Sequence, residues 1–232
     1  MCERELAESL EGEPAGSTRI TFKASVAFKL QRIIAKRVRE EKIPSNIRYV
    51  AGVDASYSSK LGIGIGVAVL YDIRLERVVE VKTVAVPVRI PYIPGLLAFR
   101  ELPCIAAALS MLSVKPEVVL VDGHGLAHPR GAGLACHLGV ALDVRSIGVA
   151  KKRLVGETVE MGGSTYLVFE GRVVGAVFRE PPGSKPLYVS IGNRVTLEDA
   201  VELVRRTRKS KGLPEPLHLA DRVSKEVRRR LG

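Results

Sequence analysis

Tryptophan is absent from this 232-residue chain, and asparagine and glutamine nearly so, while valine, arginine and glutamate abound. That bias is associated with proteins that work at high temperature. There are only three cysteines. Cys2, Cys104 and Cys136 are scattered, which excludes a disulfide framework and points to the cytoplasm. No apolar run reaches the length of a membrane span. The first residues, Met1-Cys-Glu-Arg-Glu, lack the basic and apolar regions of a secretory leader. Acidic residues are outnumbered, 25 against 36 Lys and Arg, for a net charge of +11. The excess clusters in Lys23 to Lys42, in Lys151-Lys152-Arg153, and from Arg205 to Arg230. Such stripes suit a polyanion, whose released counterions make binding salt-dependent. A solvated basic surface, or an anionic membrane as partner, is the alternative, and charge alone favours nucleic acid.

With 46% hydrophobic residues, the chain has ample apolar content for one domain. Residues 1–20 are acidic, glycine-bearing and without periodicity, and are expected to be a disordered tail. A single domain over 21–232 follows. From Phe22 to Ile43, Val26, Leu30, Ile33, Ile34 and Val38 recur at helical spacing, and Pro44 should end that helix. Strand patterns follow at Arg48 to Asp54, Gly62 to Tyr71 and Val78 to Val88, with short polar connections that suit an antiparallel meander. The string Gly62-Ile-Gly64-Ile-Gly66 lies inside an apolar strand with no helix after it, so it is not a dinucleotide fingerprint. Its glycines suit close backbone packing. A helix is expected from Leu96 to Leu112, then a strand to Asp122, a helix around Ala132 to Val140 and a strand to Ala150. A hairpin at Thr165 to Arg179, a strand at Leu187 to Ile191 and two C-terminal helices complete the pattern. Antiparallel strands first and alternating strands and helices later describe a mixed α/β sheet.

Two apolar runs end in aspartate. Val118-Val-Leu-Val closes on Asp122, and a loop crowded with glycine, histidine and arginine follows, Gly123-His-Gly-Leu-Ala-His128-Pro-Arg130. Tyr49-Val-Ala-Gly-Val53 closes on Asp54. If these strands are sheet neighbours, two carboxylates lie close together and raise each other's pKa unless a cation separates them. A divalent metal ion with oxygen ligands resolves that conflict. Each Asp alone would be an ordinary turn residue. Glu101 sits among apolar residues, either as a metal ligand or as a surface Glu with Arg100 nearby. Asp221 borders the apolar face of the last helix, where pairing with Lys225 at i+4 is the simpler reading. Lys151, just after an apolar strand, would either stabilise a phosphate or simply be solvated. His124, His128 and Cys136-His137 fit no zinc spacing, and nothing marks a cysteine as an activated nucleophile. Tyr92, between Pro91 and Pro94, is either a stiff wedge for a base stack or a proline-rich surface turn.

In order along the chain, Gly52-Val-Asp54, Pro91-Tyr-Ile-Pro94, Arg100-Glu101-Leu-Pro103, Asp122-Gly-His-Gly-Leu-Ala-His128-Pro-Arg130, Gly148-Val-Ala-Lys151-Lys152, Leu213-Pro-Glu-Pro216 and Ala220-Asp221-Arg222 resemble the endonuclease V family. The likeness runs from about Phe22 to Lys225 and implies a ribonuclease H-like single domain, a mixed central sheet flanked by helices. It implies Mg²⁺ or Mn²⁺ held by acids matching Asp54, Glu101 and Asp122, with Asp221 at a metal-site position that varies within the family. Lys151 would order the nucleophile or the phosphate. Pro91, Tyr92, Ile93 and Pro94 match the wedge, and the hypoxanthine pocket falls on Gly95, Leu97, Gly125, His128, Gly133, Leu134 and Leu154. The implied activity is hydrolysis of the second phosphodiester bond 3′ to deoxyinosine in DNA by a monomer. Two other readings stand beside it: an inosine-specific endoribonuclease on the same site, and a nucleic-acid-binding module whose acids are only structural.

Overall fold

All ten residues from Ile63 to Asp72 are buried. This strand, β2, is covered on both faces, so its sequence is apolar without alternation. In the computed structural model, which describes residues 22–231, β2 pairs antiparallel with β1 (Tyr49–Ser58) and β3 (Arg77–Pro87). These three strands form the expected meander. β4 (Val118–Asp122) lies parallel to β1, and β5 (Ser146–Ala150) parallel to β4. Helix α2 (Leu97–Ser110) precedes β4, and α3 (Leu134–Ala141) makes the crossover from β4 to β5 that a parallel pair requires. β9 (Leu187–Asn193) returns antiparallel on β5. With β6 (Glu157–Met161), β7 (Ser164–Phe169) and β8 (Arg172–Phe178) the sheet has nine strands, ordered β3-β2-β1-β4-β5-β9-β8-β7-β6. Helices α1 (Ala24–Arg37), α4 (Leu197–Thr207) and α5 (Glu215–Leu231) complete the described chain. The acidic segment 1–20 lies outside the described residues.

Strand alternation sorts the side chains onto two faces. Ala51, Val53, Val119 and Val121 meet Ile105 of α2 and Leu138 of α3. Val50 and Leu120 point the other way, into a core with Leu203 and Val204 of α4 and Leu217 of α5. Ala220 of α5 covers Ile65, Val67 and Val69 of β2. Each fully buried Val, Leu or Ile contributes about 1.5–3 kcal/mol to folding. A Cβ on Gly66 would meet the Cys104 carbonyl oxygen at 2.1 Å. The glycine string therefore lets α2 lie directly on the β2 backbone.

Two elements differ from expectation. Helix α1 ends at Arg37, six residues short of Ile43, because tertiary hydrogen bonds claim the next backbone groups. Arg39 N donates to Asn193 Oδ1 at 3.0 Å, and Ile43 N to Asp199 Oδ2 at 2.9 Å. Of the apolar stripe of that helix only Ile34 is buried. Val26, Leu30 and Ile33 are exposed, and Ala27, Gln31 and Ile34 face inward. Strand β6 was not anticipated: it pairs only with β7 at the sheet edge and buries none of its residues, so no apolar pattern marks it.

Candidate active site

Asp54 stands mid-strand rather than at a strand end. β1 continues to Ser58 because β2 still pairs with it, whereas β4 stops at Asp122. The parallel register sets Val53 against Val121, so one residue on Asp54 lies beside Asp122. Alternation turns both carboxylates to the face that α5 covers, the face of Val50 and Leu120. Helix α5 contributes Asp221. One oxygen from each of Asp54, Asp122 and Asp221 lies within 4.8 Å of the others. One turn along α5, the buried Ser224 hydroxyl donates to Asp54 Oδ2 at 2.5 Å.

Electrostatics follow from this crowding. Burial pushes the Asp54 carboxyl up to about 6 against the Ser224 hydrogen bond, and Asp122 adds to the rise. Asp122 is also raised, chiefly by burial, with Lys151 opposing. Burial acts the same way on Asp221, but Lys151 and Lys225 outweigh it and hold that carboxyl below its ordinary range. The Lys151 ammonium bridges Asp122 Oδ2 at 2.8 Å and Asp221 Oδ1 at 2.7 Å. Lys225 meets Asp221 Oδ2 at 2.6 Å, so the i+4 pair and membership of the acid cluster coexist. Glu101 enters from α2, which packs on the opposite sheet face, and it is not one of the three mutually close acids. It is buried, and its carboxyl is pushed up to about 8, first by burial and then by Asp54 and Asp122. Arg100 does not pair with it. That guanidinium lies over the Tyr57 ring at 4.2 Å.

Two strongly raised carboxyls beside further acids mark a place short of positive charge. The donors are all hard oxygens, with no thiolate or imidazole among them, which suits a divalent cation such as magnesium, calcium or manganese. The acid cluster thus fits a metal ion. The histidines and cysteines stand apart. His124 Nε2 lies 3.0 Å from the Lys152 carbonyl oxygen, His137 packs edge-on against Phe99 at 4.8 Å, and burial pushes the Cys136 thiol up to about 12.

A cavity of about 450 Å³ adjoins the acids, with Glu101 and Asp122 in its wall. Tyr92, Pro94, Gly95 and Leu97 line it from the loop before α2 and from the start of that helix. His128, Gly133, Leu134 and Leu154 line it too, together with Gln31, His124 and Arg130. Pro91, Ile93 and Gly125 do not reach the lining. Gly125 packs beneath it, where a Cβ would meet the Ile191 carbonyl oxygen at 1.9 Å. Tyr92 is 66% exposed at its loop tip, and Leu154 is half exposed. His128 is buried, and burial lowers its pKa to about 4. Its ring is therefore neutral, with Nδ1 accepting from Arg130 N at 3.2 Å.

Sequence reasoning missed Gln31 and Arg130, which hold this cavity together. Gln31 Nε2 donates to the Gly95 carbonyl at 2.8 Å, and Arg130 Nη2 donates to the same oxygen at 2.9 Å. Arg130 Nε also donates to Gln31 Oε1. Gly95 itself has φ +77°, and a Cβ there would meet Arg130 Nη2 at 2.6 Å. The one available signal was that Gln31 shares a helix face with Ala27 and Ile34 rather than with the exposed stripe.

The family model described as Endonuclease V matches residues 31–222. An endonuclease V of Aeropyrum pernix is 46% identical over 215 residues, covering 92% of this chain and 84% of the relative. A crystal structure of the endonuclease V from Streptomyces avermitilis superposes with TM-score 0.85 at 33% identity, covering 94% of this chain and 97% of that one. A Ciona intestinalis endonuclease V, in complex with a 24mer DNA containing an inosine followed by a ribo-adenosine, matches at 25% identity and TM-score 0.79, covering 90% of this chain and 100% of that one. No helix among the described residues is long and apolar enough to cross a membrane. Sequence and fold agree along nearly the whole length, and the chain belongs to the endonuclease V family.

Proposed function

We propose that this chain is a DNA-repair endonuclease that recognises deoxyinosine and hydrolyses the second phosphodiester bond 3′ to it, leaving 3′-hydroxyl and 5′-phosphate ends. The observation that carries the reading is adjacency: a cavity large enough for a base has Glu101 and Asp122 in its wall, and Asp122 also belongs to the cluster with Asp54 and Asp221. A pocket that holds an extruded base at a set distance from the acids explains cleavage away from the recognised base. The Ciona relative, bound to inosine-containing DNA, supports the same substrate.

Asp54, Asp122 and Asp221 would hold Mg²⁺, or Mn²⁺ in its place, with Glu101 completing the site. When bound, the ion supplies a lowered pKa for attacking water and neutralises charge on the phosphate and leaving oxygen. Ser224 fixes the Asp54 carboxylate through its 2.5 Å hydrogen bond. Lys151 sits between Asp122 and Asp221, so its ammonium is placed to order the phosphate or the water. Tyr92, presented by Pro91, Ile93 and Pro94, would take the place of the extruded base in the stack. Gly95, Leu97, His128, Gly133 and Leu134 would enclose hypoxanthine, with Leu154 as its lid and Gly125 supporting the loop from below. Hydrogen-bond donors in the wall would suit hypoxanthine, whose six-position carbonyl accepts where adenine's amino group donates. Guanine carries an extra amino group that the enclosed space would refuse.

The same reading takes the chain as a cytoplasmic monomer with one nuclease domain over 21–232. The buried free thiols of Cys104 and Cys136 accord with a reducing compartment. The ribo-adenosine that follows the inosine in the Ciona complex favours RNA as the second substrate to test. The experiment compares cleavage rates, in Mg²⁺, of matched strands bearing one deoxyinosine in DNA, one inosine in RNA, or neither. Faster cleavage of the modified DNA supports the proposal. Preference for the RNA would reassign the chain to RNA processing, and no cleavage of any strand would leave only a binding module.

A further inference from the structure

Beside Asp221, α5 and the turn between β1 and β2 line a second groove of about 1170 Å³ that shares no wall residue with the base cavity. Its walls are cationic. Arg222, Lys225 and Arg229 follow one another at helical spacing on α5, Arg228 stands beside them, and Lys60 faces them from the turn. Both acids in the walls are already engaged. Asp221 is held by Lys151 and Lys225, and Glu226 by Arg230. Lys60, Arg222, Arg228 and Arg229 are exposed and make no ion pair among the described residues. Cations near a helix C-terminus are ordinary, because they offset the helix dipole. That account does not cover Arg222, in mid-helix, or Lys60, on another element. Four unpaired cations around one concave surface repel each other and favour an anionic occupant.

The base cavity opens beside Glu101 and Asp122, and the cationic groove beside Asp221. The acid cluster touches both, with Asp122 in the wall of the cavity and Asp221 in the wall of the groove. A strand whose inosine occupies the cavity and whose bond is cut on the 3′ side must continue past the acids in the 3′ direction. From this order of sites we infer that the Lys60/Arg222/Arg228/Arg229 groove binds the sugar-phosphate backbone 3′ of the cleaved bond, the arm that leaves with the 5′-phosphate. The inference rests on the nuclease reading above and adds a polarity to it. The contacts are to phosphate, so they fix register without reading sequence.

The test uses the full chain with Lys60→Gln, Arg228→Gln and Arg229→Gln combined, all on exposed side chains. A charge-matched control carries Arg172→Gln, Arg179→Gln and Lys185→Gln, at the other end of the sheet. Deoxyinosine strands of fixed 5′ length are extended stepwise on the 3′ side of the cut, and a second set is extended on the 5′ side. For the wild type and the control, KM should fall as the 3′ arm lengthens. For the groove variant that dependence should vanish, kcat at saturation should hold, and the slope of log(kcat/KM) against log salt should shrink by about 2 to 3. An unchanged 3′-length dependence, or a loss confined to 5′ extension, would overturn the inference. If the wild type cleaves no inosine strand, the nuclease reading has failed instead. Fluorescence binding of the same strands then still decides the groove, which must lose 3′-length dependence in the variant.

Discussion

Raising the pH of the metal-free protein from 6.5 to 8 should lower its stability, with Glu101 chiefly responsible. This carboxyl is buried and is pushed from 4.5 up to about 8 by burial, Asp54 and Asp122, against a smaller opposing pull from Arg100, whose guanidinium lies over Tyr57. A folded-state pKa above the unfolded value means that the native protein holds a proton the unfolded chain has released. Stability then declines as pH rises from the unfolded value towards the folded one. Below pH 6.5 the neutral buried rings of His128 and His137, both lowered to about 4, act with the opposite sign. The unfolded histidines are still half protonated at 6.5, so each buried ring returns about 0.4 kcal/mol between 6.5 and 8, and the share of the acid is read by subtracting the profile of Glu101→Gln. At about 1.4 kcal/mol per pH unit for a full proton, and with Glu101 half ionised at the upper edge, the loss is about 1.5 kcal/mol. That corresponds to a fall in Tm of about 3–6 °C for a domain of this size. Melting curves in a chelator at a series of pH values read it directly. Saturating Mg²⁺ should flatten the slope, since the ionised carboxylates then face a cation, and Glu101→Gln should flatten it without metal. A slope untouched by Glu101→Gln would refute the electrostatic picture of the site.

Other consequences are more local. A Cβ on Gly52 would lie 2.3 Å from the Pro216 carbonyl carbon, so Gly52→Ala should push α5 off β1 and part Asp221 and Ser224 from Asp54. Overpacking of this kind costs about 1–3 kcal/mol, and cleavage should drop more than stability does, as melting and rate measurements on one sample would show. Tyr92 is two-thirds exposed and contributes little to folding. Tyr92→Ala should leave Tm unchanged while binding of inosine-containing duplex weakens more than binding of the same inosine in a single strand. Gln31→Leu removes both the donor to Gly95 and the acceptor for Arg130. It leaves a half-buried guanidinium short of one partner, at about 0.5–1.5 kcal/mol, and should reduce the preference for inosine over adenine in competition cleavage.

The sheet could be read from the sequence because its central strands are covered on both faces and therefore nearly unbroken in apolar residues, so an aspartate ending such a run stands out. What the sequence could not convey was register. Asp54 looked like a strand end because polar residues follow it, yet β2 keeps β1 extended to Ser58 while β4 stops beside it. The standing of Asp221 was likewise obscured. Its spacing to Lys225 was visible along one helix, but its closeness to Asp54 depends on how α5 crosses β1. Helix α1 misled for a physical reason: its buried face, Ala27, Gln31 and Ile34, includes a glutamine held by hydrogen bonds, and Val26, Leu30 and Ile33 are left in solvent. Edge strand β6 buries none of its residues, so burial wrote no pattern into it.

The most direct test of the central claim is to map where a DNA strand with one deoxyinosine is cut in Mg²⁺, for the wild type, Asp54→Ala and Asp122→Ala. A single nick at the second phosphodiester 3′ to the inosine, with 3′-hydroxyl and 5′-phosphate ends, is predicted for the wild type. Both variants should retain binding without the nick. A cut at another bond would contradict the fixed spacing of cavity and acids, and undiminished cleavage in either variant would contradict the assignment of the acids.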